Sequence, residues 1–173
     1  MDLRGKNCLI AFYSRKGNNY VNGNIVNLKI GNTEVIAKMV NEIVGGDMFR
    51  IDTKKPYPPD YTETTEVAKQ ELKSNARPEL TDHVTDMNLY KVIFLGYPNW
   101  WGTTPMAIRT FLESYDFSEK TLIPFCTHEG SGLGRSVKDI AKICPEAEIK
   151  DAISFRGGNV KNARREVENW LNK

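Results

Sequence analysis

Phe12-Tyr13-Ser14-Arg15-Lys16, at the end of an apolar run, and Gly31-Asn32-Thr33-Glu34, at the start of a helical pattern, read as one strand-to-helix loop divided by residues 17–30. A hydrophobic strand that turns into a helix leaves unpaired N–H groups and the positive end of the helix dipole at the turn, which is where an anion binds. A phosphate monoester suits the residue types: Ser14 and Thr33 offer hydroxyls, Asn32 an amide, and Gly31 lets backbone N–H groups come close. An ordinary capped helix, with Asn32 as N-cap, uses the same residues. The loop alone leaves both readings open.

The dividing segment has its own pattern. Asn22-Gly23 is a two-residue hairpin signal, since both central positions of a type I′ turn need positive φ. Val26-Asn27-Leu28-Lys29-Ile30 then alternates apolar and polar residues, as a strand with one buried face does. The expectation is a hairpin at about 17–30 beside the anion site. Gly17-Asn18 rivals Gly31-Asn32 for the phosphate, and the second copy is favoured because it alone is followed by Thr and a helical pattern.

At 173 residues the chain suits a single domain, 1–173, with a substantial core. Its 24 Lys and Arg against 22 Asp and Glu give a net charge of +2, which argues against a strongly basic nucleic-acid surface and against an acidic tail. Cys8, Cys126 and Cys144 are odd in number and widely spaced, and read as buried reduced thiols. No apolar run approaches the roughly 20 residues that span a bilayer, and no charged n-region precedes an apolar h-region, so a cytoplasmic protein with no membrane partner is expected.

Five apolar runs alternate with helical patterns, the signature of βαβ units and an α/β fold with a parallel sheet. The strands fall at Cys8–Tyr13, Met48–Ile51, Val92–Tyr97, Leu122–Cys126 and Ile149–Phe155. In the first helix Val35, Ile36, Met39, Val40, Ile43 and Val44 share a face, and Gly45-Gly46 ends it. Further helices are expected at 62–74, 104–114, 133–143 and 159–171. Pro124 lies inside the fourth run, so its missing N–H must fall at a bulge or face no partner. Lys54–Tyr61, with Pro56, Pro58 and Pro59, reads as an extended connection skirting the site.

With residues 17–30 removed, Ile10 through Lys16 joined to Gly31-Asn32-Thr33-Glu34-Val35-Ile36-Ala37 resembles the phosphate loop of the flavodoxin family. That resemblance implies FMN as cofactor and a three-layer sandwich whose five parallel strands run in the order 2-1-3-4-5. The ligand crevice then lies at the carboxyl ends of the strands, where the order reverses. Two more loops carry the likeness. Tyr97-Pro98-Asn99-Trp100-Trp101-Gly102 follows the third strand; either Trp alone suits a core role equally well, but a flat wall with backbone polar groups also suits an isoalloxazine ring. Thr127-His128-Glu129-Gly130-Ser131-Gly132 follows the fourth strand and resembles a second flavin loop, where the side chains of Thr127 and His128 are able to hydrogen-bond the ring. His128 reads first as a hydrogen-bonding loop residue, with a protonatable group beside the flavin as the alternative.

Rival motifs fit less well. Gly130-Ser131-Gly132-Leu133-Gly134 lacks dinucleotide-fingerprint spacing. No G-x-S-x-G elbow surrounds Ser131, and Cys126 and His128 lack partner ligands at metal spacing. The expected FMN-binding residues are therefore Ser14, Lys16, Asn32, Thr33, Pro98, Asn99, Trp100, Trp101, Gly102, Thr127, His128, Glu129, Gly130 and Ser131. The expected activity is an oxidoreductase that passes electrons from NADH or NADPH to a small acceptor such as a quinone. The alternatives are a carrier serving a redox protein partner and a non-flavin sensing module. A carrier of the flavodoxin type implies an acidic surface, from which +2 departs. Lys16, His128, Arg135 and Arg156 near the site point instead to a higher flavin potential. The exposed hairpin and tandem Trp loop also suit a homodimer contact.

Overall fold

A computed structural model describes residues 7–172. In chain order its elements are β1 (Cys8–Phe12), the hairpin strands β2 (Gly17–Val21) and β3 (Asn24–Leu28), α1 (Asn32–Val44), β4 (Asp47–Arg50), α2 (Tyr61–Lys73), β5 (Val92–Pro98), α3 (Met106–Glu113), β6 (Thr121–His128), α4 (Ser136–Ile143), β7 (Glu148–Ile149), β8 (Ile153–Arg156) and α5 (Arg164–Leu171). Short 3-10 turns occupy Met87–Leu89 and Gly157–Asn162.

The central sheet runs β4-β1-β5-β6, with β7 and β8 both paired to the outer side of β6, and every pairing is parallel. Counting β7 and β8 as one interrupted strand gives the expected 2-1-3-4-5 order. Every residue of β1 is buried, because an apolar CLIAF strand at the middle of a parallel sheet has helices over both faces. Side-chain alternation divides the core into two layers. Leu9, Ala11, Ile93 and Leu95 pack with Ile108, Phe111 and Ile140 on one face; Cys8, Ile10, Phe12 and Phe94 pack with Ile36, Val40, Val167 and Trp170 on the other. All three cysteines are buried thiols, and desolvation pushes Cys126 up to about 12 and Cys144 to about 11.

Pro124 explains why the last strand is broken. The Leu122 carbonyl accepts from Lys150 N–H at 3.0 Å, so alternate residues of β6 present their backbone groups to that side. Pro124 is the next such residue, and it has no N–H to give. The neighbouring strand leaves the ladder there: pairing stops after Leu122–Ile149, Asp151 takes φ 48, and pairing resumes at Phe125–Ile153. The expected strand over 149–155 is thus two short ones.

The remaining differences are at helix starts. α4 begins at Ser136 rather than 133, because Gly132 and Gly134 take φ of 60 and 53 and hold the preceding loop open. The last helical segment opens as the 3-10 turn before α5. Asp60 caps α2 by accepting from Glu63 N–H, and no described helix is long and apolar enough to cross a membrane. The hairpin forms as expected, with Asn22 and Gly23 at φ 49 and 85 and a Gly17–Leu28 to Val21–Asn24 register.

Candidate functional site

The carboxyl ends of β1, β5 and β6 surround a cleft of about 570 Å³. It sits where the chain order of the sheet reverses, between β1 and β5. Asn32 and Thr33 head α1 on one side; Pro98, Asn99 and Trp100 leave β5; Thr127 through Ser131 end β6; and Gly157 follows β8. Arg15, Asn19, Tyr20 and Tyr61 close the remaining side.

The divided loop is closed in space. A Cβ on Gly31 would stand 2.2 Å from Ser14 Oγ and 2.5 Å from the Arg15 carbonyl oxygen, so the residues before and after the hairpin are in contact. Gly31 is the N-cap of α1 and brings no side chain to the task. Ser14, 3% exposed, does it from twenty residues upstream, its Oγ accepting from Glu34 N–H at 3.1 Å. Asn32 and Thr33, the first two helical residues, are left at the cleft with the positive end of the dipole. Thr33 Oγ1 shares a 2.7 Å hydrogen bond with Thr127 Oγ1, which ties the start of α1 to the end of β6. Burial opposes ionisation of Glu34, but hydrogen bonds from Lys38 and Arg50 outweigh it and hold the carboxyl below its ordinary value.

Asn99 joins the two loops that face it. Its backbone N–H donates to the Thr127 carbonyl at 2.8 Å, its Nδ2 to the Gly132 carbonyl at 2.8 Å, and its Oδ1 accepts from Gly102 N–H at 2.9 Å. Arg135 N–H donates to the Gly102 carbonyl at 2.8 Å, and Gly134 packs so closely there that a Cβ would lie 2.3 Å from that oxygen. The tandem tryptophans part company. Trp100 stands edge-on to Tyr13 and Tyr57, at centroid distances of 5.3 and 5.0 Å, and presents a rigid wall to the cleft. Trp101 takes φ 55, rare for a bulky residue, and turns outward onto α2, where its Nε1 donates to the Thr65 carbonyl and Lys69 Nζ lies 5.3 Å from its ring.

His128 Nδ1 accepts from Gly130 N–H at 2.8 Å, which requires that nitrogen to be unprotonated. Burial lowers the imidazole pKa, Glu129 opposes this and Arg156 reinforces it, leaving the ring below its ordinary value and neutral at pH 7. Glu129 reaches across to the hairpin, where Oε2 accepts from Asn22 N–H at 2.9 Å. Its Oε1 is buried without a donor, and both it and Asn32 Nδ2 lie against Gly157, where a Cβ would collide with them at 2.2 and 2.5 Å.

Of the residues read from the sequence, Asn32, Thr33, Pro98, Asn99, Trp100, Thr127, His128, Glu129, Gly130 and Ser131 line this one cleft. Ser14 lies behind it as the helix cap. Lys16 lines a separate, open depression with Lys29 and Arg50; Trp101 lines a side cavity, and Gly102 shapes the loop from behind. Gly17-Asn18 does not face the cleft: the Asn18 carbonyl accepts from Arg15 Nε and its Oδ1 from Tyr61 N–H. Of the basic residues thought close to the site, Arg135 pairs with Asp139. Sequence reading missed Arg15, Asn19, Tyr20, Tyr61 and Gly157. Asn19 and Tyr20 were within reach, because a hairpin leaving the loop must pass beside it. Tyr61 follows the extended Pro segment, and nothing in the local sequence distinguishes Gly157.

An open α/β sheet with a ligand cleft at its reversal point, walled by a helix start and two aromatic or glycine-rich loops, defines the class. The chain belongs to the flavodoxin family, whose profile matches residues 26–173. It is similar to a structure described as a candidate flavoprotein from Bacteroides uniformis, with 28% identity over 98% of this chain and 100% of that one and a TM-score of 0.77. A second such structure, from Bacteroides eggerthii, is 26% identical over 97% of each chain, with a TM-score of 0.78. A flavoprotein in complex with FMN from Lactobacillus acidophilus shares the fold at 20% identity, covering 96% of this chain and 99% of that one with a TM-score of 0.69. No curated protein matches the chain.

Proposed function

We propose that the cleft holds FMN and that the protein is an oxidoreductase passing electrons from a reduced nicotinamide to a small acceptor such as a quinone. The observation that carries this reading is the convergence on one cleft of the α1 start, the Pro98–Trp100 loop and the Thr127–Ser131 loop. The donor set fits the group. Asn32, Thr33 and the helix end suit a phosphate dianion, and the orphan Glu129 Oε1 is an acceptor that a hydroxyl-bearing chain satisfies. Trp100 and the backbone of 128–131 supply a flat wall and polar edge groups for a ring system.

When bound, FMN supplies two-electron chemistry, taking hydride from NADH or NADPH and passing two electrons, with two protons, to the acceptor. The chain's own part is to hold and orient. Thr33 and Thr127 tie the helix start, which would hold the phosphate, to the β6 loop; Asn99 sets the spacing of the two loops that would hold the ring; and neutral His128 fixes the turn at Gly130 by accepting its N–H. The side of Arg15, Asn19, Tyr20 and Tyr61 narrows access and limits water. A net charge of +2 disfavours the protein electron carrier, which depends on an acidic surround.

The test is anaerobic mixing of the FMN-loaded protein with NADH or NADPH, followed by a quinone. Bleaching of the flavin absorbance by one nicotinamide, and its return on adding quinone with multiple turnovers, is the expected result. If neither nicotinamide bleaches the flavin while a reduced redox protein does, the protein is a carrier.

A further inference from the structure

We propose that the side cavity next to the cleft is the acceptor subsite and that it selects a planar aromatic ring bearing an anionic substituent. This rests on the reading of the cleft as a flavin site. The cavity, about 290 Å³, shares Arg15, Asn19, Tyr61, Asn99 and Trp100 with the cleft, so a ring within it abuts whatever fills the larger space. Its own walls are Trp101 and, on α2, Thr64, Thr65 and Ala68. The size suits one or two fused rings and is too small for a dinucleotide.

Most polar groups around the cavity are already committed. Thr64 Oγ1 donates to the Pro58 carbonyl and Thr65 Oγ1 to the Thr62 carbonyl; the Thr65 carbonyl accepts from Trp101 Nε1. Asn99 is used at both ends of its amide, and Asn19 Nδ2 donates to the Arg15 and Gly17 carbonyls. What remains open to a ligand is aromatic surface, the Asn19 Oδ1 acceptor, the Tyr61 hydroxyl and the Arg15 guanidinium, of which Arg15 alone carries a charge. Arg15 is held in place by backbone carbonyls, Nε on Asn18 at 3.2 Å and Nη2 on Pro59 at 2.8 Å, and it makes no salt bridge among the described residues. A fixed, unneutralised cation at the rim of an aromatic slot complements a ring carrying a carboxylate or sulfonate. In turnover the ring of such a quinone gains two electrons from the reduced flavin and two protons, one of them from solvent, and leaves as the hydroquinone.

The probes are 1,4-naphthoquinone-2-sulfonate and its neutral relative 2-methyl-1,4-naphthoquinone, titrated against flavin-free and FMN-loaded protein by tryptophan fluorescence and calorimetry. The sulfonate is expected to bind about tenfold more tightly, as a charge-assisted contact gives, and Arg15→Met to bring that ratio to about one. Trp101→Ala removes one wall of the cavity, together with the Nε1 bond to the Thr65 carbonyl, and is expected to weaken both quinones by about three- to tenfold. Ala68→Phe fills the cavity and abolishes both, while FMN titration of that variant shows the cleft intact. Equal affinity for the two probes in the native protein, a ratio unmoved by Arg15→Met, or ring binding that survives both Trp101→Ala and Ala68→Phe overturns the proposal. Because the flavin-free protein is titrated separately, a protein that binds the sulfonate selectively but not FMN keeps the anionic-ring site and loses only the redox reading.

Discussion

The cleft has two unlike walls. The wall from β5 and β6 grows out of strands buried along almost their whole length, and Asn99, Thr127 and Gly102 fasten its loops with backbone-directed bonds. The opposite wall is a two-stranded hairpin, β2–β3, in which Tyr20 and Ile25 are exposed. That hairpin is held by a few contacts: Asn18 on Tyr61 N–H, the stack of Tyr20 on Tyr61 at 6.1 Å, and Asn22 on Glu129. An isolated hairpin is marginal in water, so this wall borrows its order from the rest of the molecule. The first wall is built to position a ligand and the second to control how it is reached.

If that contrast is right, changes at the α1 start and on the β5–β6 wall should be the most damaging. Gly31→Ala drives a methyl into Ser14 Oγ and the Arg15 carbonyl, and is expected to cost about 2–3 kcal/mol in urea unfolding and to abolish FMN binding. Asn99→Ala leaves the Gly102 N–H and Gly132 carbonyl without their partner, at about 1–3 kcal/mol, and should raise the FMN Kd by tenfold or more in fluorescence titration. On the hairpin side, deleting residues 17–30 and joining Lys16 to Gly31 is geometrically simple, because Gly31 already touches Arg15. The deletion variant should keep its circular dichroism and cooperative melting while its KM for quinone changes. Loss of folding would show that the hairpin is structural after all.

Smaller effects sharpen the same contrast. His128 is depressed below its ordinary pKa of 6.5, so the native state favours the neutral ring. The stability this contributes is present above pH 6.5 and is lost as pH falls through the lower native value. FMN affinity should weaken over that window as Nδ1 takes a proton and releases Gly130 N–H, and His128→Ala should flatten the profile. Glu129→Gln is expected to loosen the hairpin tip and, because Oε1 is part of the cleft, to weaken FMN binding by a few-fold at most. Faster limited proteolysis near Asn22-Gly23, with an unchanged melting temperature, is the check.

The difference between the walls also decides what the sequence could show. Apolar runs such as Cys8–Phe12 and Val92–Tyr97 follow directly from burial on both faces, and Asn22-Gly23 identifies its turn by backbone chemistry alone. The conflict at Pro124 was visible too, although its resolution lay in a partner strand, where Asp151 breaks the ladder. The two loops that end β5 and β6 were legible as site segments because glycines and tryptophans seldom cluster without reason. Which tryptophan faces inward was not legible, since it depends on Tyr13 and Tyr57, which are remote in sequence. The same holds for Ser14, which caps a helix that begins eighteen residues later. Arg15 rather than Lys16 reaches the cleft because its guanidinium is held by the Asn18 and Pro59 carbonyls, both contributed from beyond the loop itself.

The most direct measurement is titration of the purified chain with FMN, followed by visible absorbance and flavin fluorescence. Saturable one-to-one binding with quenched fluorescence, a resolved shift of the flavin bands and a Kd below about 1 μM, equivalent to about −8 kcal/mol, is the predicted result. A flavin spectrum that stays that of free FMN at about 100-fold higher concentrations would contradict the assignment of the cleft.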